Sequence, residues 1–70
     1  IQLLREIVNE YNLYKTPITS AKIKNYSTYS SDSMSILKSK GFINVKQYSY
    51  EIFSVKPTDV GITEIALRDK

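Results

Sequence analysis

Residues 30–43 read SSDSMSILKSKGFI, and this stretch decides how the rest of the chain is interpreted. Met34 and Leu37 are three residues apart, so they share one face of a helix whose first residues are serines suited to N-capping. Gly41 follows the last turn, where a left-handed residue commonly ends a helix. An apolar, alternating segment begins at Ile43. The stretch therefore predicts a short helix that is stopped by a glycine and followed at once by a strand.

The segment upstream predicts a helix, a short strand and a second helix. An apolar stripe with i, i+3, i+4, i+7 spacing predicts a first helix from Ile1 to Tyr11, ended by Asn12. Thr16–Ile18 is expected to form a short edge strand, because a proline at its centre opposes helix. A second helix is expected from Ser20 to residue 25 or 26, capped by a threonine or serine. The polar residues that follow predict a turn before the central helix.

The segment downstream predicts a β-hairpin and a last helix. Ile43–Gln47 alternates apolar and polar residues, and Glu51–Val55 is rich in β-branched and aromatic residues, with a bend around Tyr48 and Ser49. The inward-facing residues of the second strand are predicted to be Phe53 and Val55. Thr58 is a suitable N-cap for the last helix, which has a polar end at residues 68–70. Its predicted apolar stripe consists of Ile62, Ile65 and Ala66.

Length and composition narrow the classes of function. Seventy residues form one domain, expected to span 1–70, and the formal charge of +3 favours an anionic partner weakly. The absence of cysteine and histidine excludes disulfides, thiol or imidazole catalysis and the usual zinc ligands. The acidic residues are scattered, so we expect no metal, no cofactor and no enzymatic activity. No apolar run approaches the length of a membrane span, and we expect a cytoplasmic protein without a membrane partner.

Three motifs carry a resemblance to the winged helix-turn-helix superfamily. Ile18–Ile23 (ITSAKI) is similar to the opening of the second helix in bacterial and archaeal regulators, and Met34–Ile43 is similar to the end of their recognition helix. Phe53–Gly61 (FSVKPTDVG) resembles the strand-to-helix corner of MarR-like and PadR-like regulators, and also a corner in the winged helix of Ski2-type helicases. The resemblance implies an α+β, mainly α fold, in which a three-helix core carries a β-hairpin wing and a C-terminal helix.

The resemblance also implies a DNA-binding module, which we expect to be a small transcription regulator that binds double-stranded DNA. Its central helix, residues 30–40, would enter the major groove, and the wing, residues 43–55, would touch the backbone or the adjacent groove. Lysines on these elements suit phosphates, and short hydroxyls reach base edges or phosphates. The predicted DNA-binding residues are Lys15, Lys22, Lys24, Ser31, Ser35, Lys38, Ser39, Lys46, Tyr48 and Tyr50.

Two further expectations concern partners. A homodimer through the first or the last helix would match palindromic half-sites. The alternative function is a winged-helix interaction or accessory domain of a larger replication, helicase or transcription assembly. Serines and Asp32 in the central helix, where strong DNA readers often have Arg, Gln or Asn, favour this alternative. It predicts an exposed apolar patch, which is a common mark of a partner surface. Ile36 falls beside the inward face and is expected at the core edge or at a partner contact.

Overall fold

The helices and strands follow one another in the predicted order. The computed structural model describes residues 2–68, so the predicted helix start at Ile1 and the polar residues Asp69 and Lys70 lie outside the described residues. About half of the chain is helical, which gives an α+β protein. Its elements are α1 (Gln2–Tyr14), β1 (Ile18–Thr19), α2 (Ser20–Ile23), α3 (Ser31–Ser39), β2 (Ile43–Gln47), β3 (Phe53–Pro57) and α4 (Asp59–Arg68).

The three strands form one antiparallel sheet in the order β1-β3-β2. Val55 at the centre of β3 pairs with Ile18 on one side and with Val45 on the other. Because side chains alternate along a strand, these residues point to one face of the sheet. That face lies on the core, and Val55 is completely buried. The prediction that Val55 points inward is confirmed, and Phe53 beside it is half-buried.

The core lies between α1, the sheet and the remaining helices. Four residues of α1 supply one side of it, at the spacing that the sequence predicts for an amphipathic helix. α1 contacts β3, α4, α3 and β1, so it is the element around which the others pack. The buried apolar residues are Leu3, Leu4, Ile7, Val8, Ile18, Ile23, Leu37, Ile43, Val55 and Ile65.

Hydroxyl caps and one glycine set the helix ends on either side of the hairpin. Ser30 Oγ accepts a hydrogen bond from the backbone N–H of Ser33 at 3.1 Å, and Thr58 Oγ1 accepts one from Gly61 at 3.1 Å. Gly41 has a φ of +76°, the left-handed conformation predicted for the residue that ends α3. The start and the end of α3 are therefore confirmed.

The first helix is longer than predicted. Asn12 does not end α1, which continues to Tyr14. Lys15 takes the left-handed conformation, with a φ of 58°, and its N–H donates to the carbonyl of Tyr11 at 2.7 Å. The helix thus ends at a lysine in the conformation that glycine or asparagine usually adopts, so the composition of this segment gave no signal for the true end.

The elements beside α1 are displaced from their predicted bounds. β1 comprises residues 18–19 rather than 16–18, because these are the residues that pair with β3. Thr19 caps α2 as expected, with its Oγ1 accepting from Lys22 N at 3.4 Å. α2 ends at Ile23, before the predicted 25 or 26, because the N–H groups of Asn25 and Tyr26 turn back to carbonyls three residues earlier.

The second hairpin strand and the last helix also differ from the prediction. β3 covers Phe53–Pro57, so Glu51 and Ile52 belong to the hairpin loop. In α4, Ile65 is buried and Ile62 is half-buried, as predicted, but Ala66 is exposed. Gly61 takes the buried place on that face, because the helix approaches the backbone of Phe42 there.

Candidate functional site

A groove of about 200 Å³ lies between α3 and the hairpin. Ser31, Ser35 and Lys38 lie along its helical side, at the i, i+4, i+7 spacing that puts residues on one helix face. The groove thus brings together three of the predicted DNA-binding residues. Half-buried apolar side chains form its floor. Its full lining consists of Tyr29, Ser31, Met34, Ser35, Lys38, Val45, Gln47 and Phe53.

The orientation of α3 follows from its apolar residues. Leu37 is 3% exposed and anchors the helix to the core, with Met34 half-buried beside it. Ser31, Ser35 and Lys38 lie next to Met34 on the side of α3 that borders the groove, and each of the three is exposed. Ser39 is exposed on α3 but does not line the groove, and Asp32 is exposed in the first turn, where it complements the helix dipole.

Gln47 orders the hairpin loop and was not predicted as a site residue. Its Nε2 donates to the carbonyls of Ser49 at 2.5 Å and Tyr50 at 3.3 Å. The N–H of Tyr48 donates to the carbonyl of Ile52 at 2.8 Å and closes the loop. The period-two alternation that puts Val45 in the groove also puts Gln47 there, so the sequence carried a usable signal.

Tyr50 and Lys24 border this region from the loop and from the end of α2. Tyr50 is 95% exposed, so its ring is free to meet a partner. The Nζ of Lys24 donates to the carbonyl of Glu51 at 3.5 Å and lies 5.7 Å from the ring centroid of Phe53. Lys24 therefore places a positive charge beside the hairpin, next to the groove floor.

Lys46 and Tyr48 lie on the other face of the hairpin. Lys46 alternates with Val45 and Gln47, and its Nζ lies 5.4 Å from the ring centroid of Tyr48. It lines a separate depression, together with Lys56. The structure does not bring these two predicted wing contacts to the row of Ser31, Ser35 and Lys38.

Lys22 and Lys15 lie at the end of α1, away from the groove. Lys22 forms an ion pair with Glu10 and lies 4.5 Å from the ring centroid of Tyr14. The hydrogen bond to Glu10 raises the pKa of Lys22. Lys15 is exposed directly after the helix. Tyr14 is 60% exposed beside them.

Tyr26 is the centre of a polar cluster between α1 and the turn before α3. Burial, with the nearby carboxylates of Glu10 and Glu6, raises the pKa of Tyr26 to about 12. Thr28 Oγ1 donates to Glu6 Oε2 at 2.6 Å and ties the turn to α1. These side chains join neighbouring elements, so their role is to hold the turn in place.

The two expected dimer helices differ in what they expose. The apolar stripe of α1 is buried in the core, leaving Leu13 and Tyr14 exposed at its end. α4 exposes Val60 and Leu67, which are seven residues apart and share one helix face. Of the two helices, α4 is the one with apolar side chains on a free face along its length.

The part of the chain that the structure describes also bears on metal binding and on membrane-spanning helices. Within residues 2–68, no group of three His, Cys, Asp or Glu side chains could hold a metal ion. No helix in this range is long and apolar enough to cross a membrane. The chemistry offered by the groove is that of hydroxyls, one amide and lysine, which hydrogen-bond or attract phosphates and base edges.

No family model, curated protein or solved structure matches this chain.

Proposed function

We propose that this chain is a winged helix-turn-helix domain that binds double-stranded DNA, as a small transcription regulator or the DNA-binding part of one. The element order supports this proposal, because a three-helix segment is followed by a hairpin and a last helix. The packing of the hairpin beside α3, across the groove that both of them line, supports it as well. A regulator of this kind acts on DNA in the cytoplasm, which is the location we propose.

The observation that carries the proposal is the row formed by Ser31, Ser35 and Lys38 on the side of α3 that borders the groove. A major groove is wide enough for an α-helix, and hydroxyls and ammonium groups at this spacing can follow base edges and phosphates. The hairpin strands line the other side of the groove, and Tyr50 in the loop between them is 95% exposed. In the proposed complex, the loop contacts the phosphate backbone or the adjacent groove.

The charges favour some of the predicted contacts over others. Lys38 and Lys24 border the groove between α3 and the hairpin, so they come first in the proposed interface. Lys22 already pairs with Glu10, which reduces what it can offer to a phosphate. Few free cations lie at the interface, so we expect the duplex affinity to fall only gradually with salt. The logarithm of the binding constant should decrease by about 0.9 per phosphate contact for each tenfold rise in salt concentration.

The test is a titration with a random-sequence duplex of about two helical turns, at low and moderate salt, read by fluorescence anisotropy. Lys38→Glu should lower the affinity by about tenfold or more, because it replaces an attraction to phosphate with a repulsion. Lys40→Glu is the matched control, since it makes the same charge change on an exposed residue beyond the end of α3. It should have the smaller effect.

Two results would contradict the proposal. The intact domain would show no duplex binding even at low salt, or the variants Lys38→Glu and Lys40→Glu would lose the same affinity. The second result would mean that net charge, rather than the groove-facing side of α3, controls binding. Circular dichroism of both variants establishes that they remain folded.

A protein-interaction domain is the second candidate, and a specific observation favours it. The groove floor is apolar, and outside the groove Ile36 of α3 and Ile52 of the hairpin loop are 54% and 58% exposed. Exposed apolar groups of this kind commonly mark partner surfaces. This candidate predicts no duplex binding near physiological salt, so the same titration decides between the two functions.

A further inference from the structure

The face of the sheet that points away from the core carries a second, separate surface. We call it the outer sheet face, and it comprises Asn44, Lys46, Ser54 and Lys56. The register pairs Asn44 with Lys56 and Lys46 with Ser54, while the valines between them point to the core side. A shallow depression of about 270 Å³ covers this face, bordered by the exposed Pro17 and by Tyr48.

Both lysines of the outer sheet face lie beside tyrosine rings. The Nζ of Lys46 is 5.4 Å from the ring centroid of Tyr48, and the Nζ of Lys56 is 5.8 Å from that of Tyr11. Among the described residues that line the depression, none is acidic. Lys46 and Lys56 also lie diagonally across a strand pair, where neighbouring residues are typically about 7–8 Å apart. The surface therefore combines concentrated positive charge with aromatic rings at its margin.

We propose that the outer sheet face binds single-stranded nucleic acid. Bases in a single strand expose their faces, so they can stack on the ring of Tyr48 while Lys46 and Lys56 attract the flanking phosphates. Ser54 and Asn44 supply short polar groups between the two lysines, within reach of sugar and base edges. A strand of a few nucleotides spans this surface.

The geometry favours a single strand over a duplex on this surface. A duplex presents its base faces only to each other, so Tyr48 would have nothing to stack on. The outer sheet face is also a shallow strand surface without a protruding helix, whereas the duplex site proposed above uses α3. The two surfaces lie on opposite faces of the hairpin, and the single-strand proposal does not rest on duplex binding.

The experiment measures the anisotropy of fluorescently labelled oligothymidine and oligouridine with the whole 70-residue chain at low salt. Tyr48→Ala should lower the affinity about tenfold through lost stacking. Lys56→Ala should lower the affinity severalfold. It should also make the affinity less dependent on salt, by the amount that corresponds to about one lost phosphate contact. Comparison of the two oligonucleotides shows whether the surface prefers DNA or RNA.

Two matched controls keep the result specific. Tyr14→Ala removes another exposed tyrosine that lies next to a lysine, but on a surface that contains Glu10. Lys38→Ala removes a lysine from the duplex site on α3. Neither control should change single-strand affinity by more than about twofold, and circular dichroism should show that all four variants remain folded.

The proposal is overturned if the intact chain binds neither oligonucleotide at low salt. It is also overturned if Tyr14→Ala or Lys38→Ala loses as much affinity as the variants of the outer sheet face. Lys38 belongs to the proposed duplex site and Lys56 to the proposed single-strand site. The duplex and single-strand titrations of these variants can therefore disprove either proposal independently of the other.

Discussion

At the scale of single residues, Gly61 is a position where the fold leaves no space for a side chain. A β-carbon on Gly61 would overlap the carbonyl oxygen of Phe42. The same carbonyl accepts a hydrogen bond from Thr58 N at 3.0 Å, and Thr58 Oγ1 donates to the carbonyl of Gly41 at 2.6 Å. The start of α4 is therefore fixed against the end of α3, and no neighbouring flexible side chain can move to make room.

We expect Gly61→Ala to lower the free energy of unfolding by about 1–3 kcal/mol, the usual cost of overpacking. This loss would occur although alanine favours helix by about 1 kcal/mol over glycine. Urea denaturation followed by circular dichroism measures the change. Thr63→Ala, at an exposed site in the same helix, should leave stability unchanged or raise it slightly. A Gly61→Ala variant as stable as the parent would disprove the close approach.

Tyr26 gives the fold a specific sensitivity to alkaline pH. Its pKa is about 12 in the folded chain, against 10.0 as its ordinary value. Below pH 10 the phenol is protonated in both states and its contribution to stability is complete. Above pH 10 the unfolded chain loses this proton while the folded chain keeps it, so stability falls as pH rises toward 12.

Tyr26→Phe should remove this part of the alkaline destabilisation. Denaturant midpoints measured at several pH values above 10 should fall less steeply for the variant than for the parent. The absorbance of tyrosinate provides an independent measurement, because the component that titrates near pH 12 should disappear in the variant. Equal slopes for the two proteins would show that other groups cause the alkaline loss.

At the scale of helices and strands, local signals in the sequence were the reliable ones. Thr58 was the predicted cap of α4, while Thr19 and Ser30 were each one of two adjacent candidates; all three accept a backbone hydrogen bond of the helix they begin. Gly41 was predicted to end α3 in the left-handed conformation, and it does. In each case the donor and acceptor lie within a few residues of one another, so a single sequence contains all the information that sets the geometry.

The elements that were displaced depend on contacts between distant residues. β3 runs to Pro57 because its residues pair with Ile43 at the far end of β2, and the bounds of β1 follow from its pairing with β3. α1 continues to Tyr14, and Lys15 closes it in a conformation that its residue type does not signal. Neither the pairing of these strands nor the left-handed backbone of Lys15 can be read from the composition or periodicity of the sequence.

The candidate site divides in the same way. Ser31, Ser35 and Lys38 were predicted together from helical spacing, and the structure brings them into one groove. Lys46, predicted as a DNA contact of the wing, lies on the other face of the hairpin, where it lines a separate depression. The contact between Lys56 and Tyr11 joins residues 45 positions apart and could not be predicted without the fold.

At the scale of the whole molecule, the remaining question is whether the domain pairs with a copy of itself. DNA-binding regulators often form two-fold dimers that match palindromic half-sites. The apolar stripe of α1 is part of the core, so a dimer through that stripe would require the domain to open. α4 presents Val60 and Leu67 on its free face, with Thr63 between them, and a self-complementary contact there leaves the core and the groove unchanged.

We therefore expect a dimer through the free face of α4, with a population that rises with protein concentration. Sedimentation velocity over a range of concentrations should show twice the monomer mass at the upper end. Leu67→Glu should keep the chain monomeric, because it places like charges opposite each other across the two-fold axis. Leu13→Glu, which changes an exposed leucine at the end of α1, should leave the dimer intact. A parent chain that stays monomeric at every concentration would rule out the α4 contact, and one domain would then bind one half-site.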